Sequence, residues 1–155
     1  MVVAGNSWGG YITLMSLGMH ADRYALGLAG VPVADYPAAY EDEAEVLRAY
    51  DRTLFGGSYE DIPDLYHERS PMTYIDNVRA PVLILAGDND TRCPIRQIIN
   101  YTERLTELGR EFELYRFEAG HGSMVMDEQI RQMRLRLDYT LARIDVGAPV
   151  AGERA

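Results

Sequence analysis

A serine, an acid and a histidine occur in this chain, each at a turn that follows an apolar run. In "GNSWGGY", Gly5 to Tyr11, Ser7 has glycines at positions −2, +2 and +3. A serine in an ordinary loop needs no such flanking, whereas a turn too tight for side chains does, because glycine tolerates the backbone contact and the unusual φ values. Gly5-x-Ser7-x-Gly9 is the spacing of a nucleophile elbow, in which a strand breaks into a helix and leaves the serine hydroxyl exposed. In "PVLILAGDNDTRCP" the run Val82 to Ala86 enters a turn carrying Asp88 and Asp90, either of which can be the acid, although aspartate in a turn also satisfies its own backbone. In "FELYRFEAGHGSM", His121 stands between Gly120 and Gly122, which allow the loop to bring its ring close to other backbone. Together these residues could perform nucleophilic acyl transfer, with histidine taking the serine proton and the acid orienting the imidazole.

The chain has two other histidines. His20 falls at the end of the helix after the elbow, where the helix dipole favours a cation, and His67 lies in a polar helical stretch. Both read as structural or solvated. Cys93 has no second thiol or histidine motif beside it and reads as a small buried hydrophobe.

Such a site needs strands to deliver its members in the order serine, acid, histidine, each at a strand's carboxyl end. Strands are expected near 1–4, 25–30, 81–86 and 112–117. Helices are expected near 9–19, 43–54, 95–108 and 124–144, with shorter pieces near 60–66 and 72–77. In the first helix Ile12, Leu14, Met15 and Leu17 have the spacing of a buried face. The alternation indicates an α/β fold with a mostly parallel sheet flanked by helices. Val31 to Pro71 lacks a strong strand and is rich in tyrosine and acid, so it reads as an excursion over the carboxyl edge of the sheet, where such segments shape pockets. Residues 1–145 are expected to form the catalytic domain and 146–155, small and polar, a flexible tail.

At 155 residues and 47% hydrophobic, the chain can bury one core. A formal charge of −9 argues against nucleic acid and anionic membrane as partners. The single cysteine excludes an internal disulfide and a cysteine-rich metal site and fits a reducing cytoplasm. No metal or cofactor is expected. No apolar run reaches the length of a membrane span, and no signal peptide is expected within these residues, a leader on a longer parent chain being invisible here.

"GNSWGGY", "SPMTYIDNVRAPVLILAGDNDTRCP" and "EAGHGS" together resemble the catalytic domain of the prolyl oligopeptidase family of serine peptidases, up to about Ile144. The second glycine and tyrosine of the elbow, and the Asp-x-Arg turn, are more specific than Gly-x-Ser-x-Gly alone. The resemblance implies the carboxyl-terminal portion of an α/β-hydrolase fold, with Ser7 as nucleophile, Asp90, two before Arg92, as acid, and His121 as base. Trp8, where the family often has tyrosine, would supply one oxyanion donor through its backbone N–H. The second donor would come from a loop after an earlier strand that this chain lacks. Val33, Tyr36 and Tyr40 are the substrate-pocket candidates, or else pack the excursion on the sheet. Arg92 has a simpler alternative role, pairing with an acid to brace the Asp90 turn.

The implied activity is hydrolysis of small peptides through an acyl-enzyme. A carboxylesterase or lipase of the same fold and a catalytically silent fragment are the alternatives. The partners implied are a peptide substrate and the missing amino-terminal portion of a longer parent protein, with a homo-oligomer as a further option.

Overall fold

A computed structural model describes residues 1–144. The elements alternate as β1 (Val2–Asn6), α1 (Trp8–Met19), β2 (Leu26–Gly30), α2 (Tyr36–Asp42), α3 (Glu45–Phe55), α4 (Pro63–Glu68), a 3₁₀ turn (Pro71–Asn77), β3 (Val82–Gly87), α5 (Ile95–Glu107), β4 (Phe112–Phe117) and α6 (Met126–Leu141). The strands form one parallel sheet in the order β1-β2-β3-β4, with Asn6 opposite Gly30 and Gly87 opposite Phe117. Every carboxyl end therefore lies along one edge of the sheet, and the loops that leave it converge there.

β2 and β3 are apolar and small throughout because both faces are covered, and every residue in them is buried. Val82, Ile84 and Ala86 of β3 point to the face packed by α1 and α5 through Leu14, Leu17, Ile98, Tyr101 and Leu105. Leu83 and Leu85, one residue out of phase, point to the other face, where Phe117 and Tyr139 complete a second cluster. α6 covers that face with Leu135 and Tyr139 and leaves Ile130, Met133 and Leu137 exposed. β1 is an edge strand of the described sheet, only partly covered at Val2 and Val3.

All four expected strands are present, with β1 running two residues further than expected. The elbow helix differs from its apolar spacing, since Ile12 is 56% exposed and the buried stripe is Gly10, Thr13, Leu14, Leu17 and Gly18. Small residues let α1 lie close to the sheet and the 3₁₀ turn, and apolar periodicity alone does not mark them.

The larger departure is in the excursion. The helix expected over 43–54 is α3, and a further helix, α2, that was not expected precedes it, the two separated by extended backbone at Glu43 and Ala44 (ψ 150° and 148°). Pro37 in the first turn suits a helix start, and Tyr36 and Tyr40, four apart on one face, bury 98% and 96% of their surface. They join Tyr66 in an aromatic core of edge-to-face contacts, Tyr36–Phe55 at 5.1 Å and Tyr40–Tyr66 at 5.2 Å between ring centroids. Each such pair contributes about 0.5–1.5 kcal/mol beyond burial, so the tyrosine-rich segment is a small core of its own. The expected tail, 146–155, lies outside the described residues.

Candidate active site

The elbow is built by close backbone approach. Ser7 is held at φ 54°, ψ −118°, an unfavourable conformation for a non-glycine residue, and its N–H donates to the Gly30 carbonyl at 2.8 Å. A Cβ on Gly5 would stand 2.4 Å from the Gly9 carbonyl, so the end of β1 and the first turn of α1 touch only because Gly5 has none. At Gly9 itself a Cβ would meet nothing within 4 Å, so steric room does not require this glycine of the motif.

The acid and histidine loops are likewise locked together, though not where the flanking glycines of His121 suggest. A Cβ on Gly122 would meet nothing within 4 Å, and one on Gly120 would make only an ordinary contact. The tight approach is at Gly87, the last residue of β3, where a Cβ would stand 2.1 Å from the Gly120 carbonyl oxygen. Asn89 N–H donates to the Ala119 carbonyl at 3.0 Å, and Asp88 N–H to that of Phe117 at 3.0 Å. Gly87 thus lets the histidine loop sit directly on the acid loop.

These loops bring Ser7, Asp90 and His121 into one hydrogen-bonded line. His121 Nε2 is 2.7 Å from Ser7 Oγ, and His121 Nδ1 is 2.8 Å from Asp90 Oδ2. The Asp90 side chain is 1% exposed, and its other oxygen, Oδ1, accepts the N–H groups of Arg92 at 2.8 Å and Cys93 at 3.0 Å. The two aspartates are thereby separated. Asp88 Oδ1 accepts Arg116 Nε at 2.6 Å in a partly exposed ion pair away from the histidine. Arg92 braces the turn through its backbone N–H; among the described residues its guanidinium makes no ion pair, in contrast to the expected pairing with an acid.

Trp8 opens α1, so its N–H has no acceptor one turn earlier within the helix and is free for a ligand. Beside Ser7 lies a cavity of about 490 Å³. Val33 and Tyr36 line it together with Trp8, while Tyr40 lies outside the lining, in the aromatic core behind it, with its hydroxyl 3.3 Å from Arg52 Nη1. Val31, in the left-handed region at φ 40°, turns the chain out of β2 toward this wall.

Sequence reasoning missed the residue that fixes the wall. Gln97 of α5 is fully buried; its Oε1 accepts the N–H groups of Ala34 (2.5 Å) and Asp35 (3.2 Å), and its Nε2 donates to the Pro32 carbonyl (3.0 Å). A glutamine inside an otherwise apolar helical stripe, Ile98-Tyr101-Leu105, was the available signal. His20 caps α1 and is exposed, and His67 lies 3.4 Å from the Tyr59 hydroxyl, both away from the site.

Asp90, Cys93 and His121 offer ligand atoms within 4.8 Å of one another, but Asp90 and His121 are already hydrogen-bonded to each other. Cys93 is buried, and burial together with the negative charge of Asp90 holds its thiol far above the ordinary range, so no thiolate competes with Ser7. Among the described residues no helix is long and apolar enough to cross a membrane.

A family model described as "Prolyl oligopeptidase family" matches residues 1–146. The chain belongs to the prolyl oligopeptidase family. It is 29% identical over 144 residues to the uncharacterized peptidase YuxL of Bacillus subtilis (strain 168), covering 92% of this chain and 22% of the relative. It is also 29% identical to acylamino-acid-releasing enzyme 2 of Oryza sativa subsp. japonica, covering 76% of this chain and 16% of that protein. Among solved structures, puromycin hydrolase superposes with a TM-score of 0.81 at 30% identity, over 98% of this chain and 24% of that one. The acylaminoacyl peptidase of Pyrococcus horikoshii superposes with a TM-score of 0.78 at 25% identity, over 96% and 25%. The sheet and its flanking helices are thus part of the α/β-hydrolase domain of this peptidase family, and the chain spans about a quarter or less of the length of these relatives.

Proposed function

We propose that this chain carries the reacting residues of a serine peptidase that cleaves small peptides through an acyl-enzyme on Ser7. The observation that carries this reading is the continuous line Ser7 Oγ, His121, Asp90 at 2.7 and 2.8 Å. With Nδ1–H donating to the buried Asp90 carboxylate, Nε2 is left to accept the serine proton as Oγ attacks the substrate carbonyl. The oxyanion that forms lies over the start of α1, where the Trp8 N–H and the helix dipole stabilise it. Collapse of the intermediate passes the proton from His121 to the leaving amine. Water, activated by the same histidine, then releases the acyl group. Family membership supports peptide as the substrate, and the cytoplasm is the proposed compartment.

The second oxyanion donor and the partner of the β1 edge are assigned to sequence corresponding to the unmatched part of the longer relatives. The half-covered Val2 and Val3 and the exposed apolar stripe of α6 support this.

Labelling with a fluorophosphonate tests the reading. Ser7 is expected to react and the Ser7→Ala protein not to, with faster labelling when the remaining hydrolase sequence is supplied in trans. Absence of labelling even in the completed protein would overturn it. Matched peptide and ester substrates then separate peptidase from esterase action.

A further inference from the structure

The cavity beside Ser7 has a second pair of acids that the triad does not use. Glu43 follows α2 and Asp51 lies in α3; they are 6% and 5% exposed, and both line the cavity that Ser7 and His121 also line. Among the described residues, Glu43 and Asp51 hydrogen-bond to each other, and no N–H or hydroxyl donor of the protein reaches Glu43 Oε2 or Asp51 Oδ2. A buried acceptor left without a donor is costly, more so when charged, so two of them in one wall is an expensive arrangement unless something fills it. Among the described residues no cation forms an ion pair with either acid. Arg48 lies close enough to act on Glu43, yet it is not part of the lining and its Nε rests 3.3 Å from Glu45. Arg92 also lines the cavity, but it is exposed on the turn after Asp90 and, among the described residues, forms no ion pair with either acid.

We propose that Glu43 and Asp51 are the specificity-determining residues of this pocket and that they bind a positively charged group of the substrate, a guanidinium or an ammonium. The word substrate rests on the reading of Ser7 as the reacting residue; the recognition of a cation does not. A guanidinium brings five donors in a planar fork and an ammonium three, which is what two carboxyls with empty acceptor positions lack. The rest of the wall suits the stem of such a group. Trp8, Val33, Tyr36, Leu47 and Tyr50 give apolar and aromatic surface along which methylenes can lie, with ring faces available to the charge. A neutral apolar group of the same length would leave both acids unpaired, and sites of this kind reject such analogues strongly. Burial, followed by the charge of Asp51, holds the Glu43 carboxyl well above its ordinary range, and burial raises Asp51, as befits a pair without its cation.

Trp8 is the only tryptophan of the chain and lines the cavity, so its fluorescence reports occupancy without turnover. The protein is titrated with N-acetyl-arginine amide and N-acetyl-lysine amide, with neutral N-acetyl-norleucine amide, and with leucine amide, whose charge is on the α-ammonium. A side-chain cation is expected to bind at least tenfold more tightly than norleucine, and tight binding of leucine amide would assign the same recognition to the α-ammonium instead. Glu43→Gln, Asp51→Asn and the double variant should lose this preference by weakening the cationic ligands while binding norleucine no more weakly than the parent, with thermal unfolding checking each fold. Equal affinity for charged and neutral ligands, or a preference that survives both amide substitutions, would overturn the proposal. Loss of Ser7 labelling with the cation preference intact would sink the triad reading and leave this one standing; the reverse would sink this one alone.

Discussion

Two regions beside the same cavity bury acids, and they do so in opposite ways. At the end of β3, Asp90 is almost fully enclosed, and each of its oxygens has partners: His121 on one, two backbone N–H groups on the other. In the excursion, Glu43 and Asp51 are nearly as enclosed, yet they hydrogen-bond to each other and each keeps an oxygen that no N–H or hydroxyl donor reaches. A carboxylate supplied with donors stays ionised in a dry site at little cost, whereas a carboxyl without them is driven toward its neutral form. The first arrangement suits a charge that must be present in every cycle, to orient an imidazole and stabilise an imidazolium. The second suits a position completed by a ligand.

The largest effect expected from breaking this contrast is at Asp90. Asp90→Asn keeps the shape but offers an amide where a carboxylate received Nδ1–H, and an acid-to-amide change of this kind costs about 10⁴ in turnover. Asp88→Asn removes only a partly exposed pair with Arg116, worth about 0–1 kcal/mol, and should leave turnover within a few-fold. Peptide hydrolysis by the completed protein checks both; comparable losses would remove Asp90 from its role.

Next in size is the backbone contact that holds the filled site together. Gly87→Ala places a Cβ 2.1 Å from the Gly120 carbonyl, against backbone that cannot swing aside, and is expected to destabilise the fold by about 3 kcal/mol or more. Gly9→Ala, although it breaks the Gly-x-Ser-x-Gly pattern, meets open space in a helix and should be neutral or stabilising by about 0.5–1 kcal/mol. Urea unfolding of the two variants measures the difference. Equal destabilisation would mean that the motif glycine has a demand its surroundings do not reveal.

The filled region was legible in the sequence because its signals are local. Glycines at turns, an apolar run before each, and the order serine, acid, histidine are written in short windows, and Asp-x-Arg separated Asp90 from Asp88 through resemblance alone. The reasons attached to individual glycines were less accurate, since Gly9, Gly120 and Gly122 are not crowded while Gly87 is. Which glycine is required depends on a loop more than thirty residues away. The excursion was poorly legible for the same reason. Tyr36 and Tyr40 signal a helix only once their common burial against Tyr66 is known, and of the two readings left open for Tyr40, pocket wall or packing of the excursion, the structure shows packing. Glu43 and Asp51 sit within "YEDEAEVLRAYD", a run that reads as a solvated face because five acids crowd it. Only packing separates the two that are enclosed from Glu41, Asp42 and Glu45, which remain at the surface. Gln97 was missed likewise, as its three partners, Pro32, Ala34 and Asp35, lie more than sixty positions away in sequence.

The smallest expected effect concerns the cost of leaving the second pair unfilled, and it has a definite sign. Burial raises the folded-state pKa of Glu43 above the value it has in the unfolded chain, and raises Asp51 in the same direction. Between the ordinary carboxylate range and the raised values, the native protein holds protons that the unfolded chain has released. Stability must therefore fall as pH rises through that window and level off above it. Arg48 opposes the shift at Glu43, but its effect is smaller than burial and the Asp51 charge. Glu43→Gln removes the titration while keeping the shape, so the protein should gain about 1 kcal/mol above the window and nothing below it. Urea unfolding of the parent and the variant between pH 5 and pH 9 gives the two curves. They should converge at the acid end and separate toward the basic end, and the separation should shrink when N-acetyl-arginine amide occupies the parent. Curves that run parallel across the whole range would mean that the pair is ionised and already satisfied, and the contrast with Asp90 would disappear.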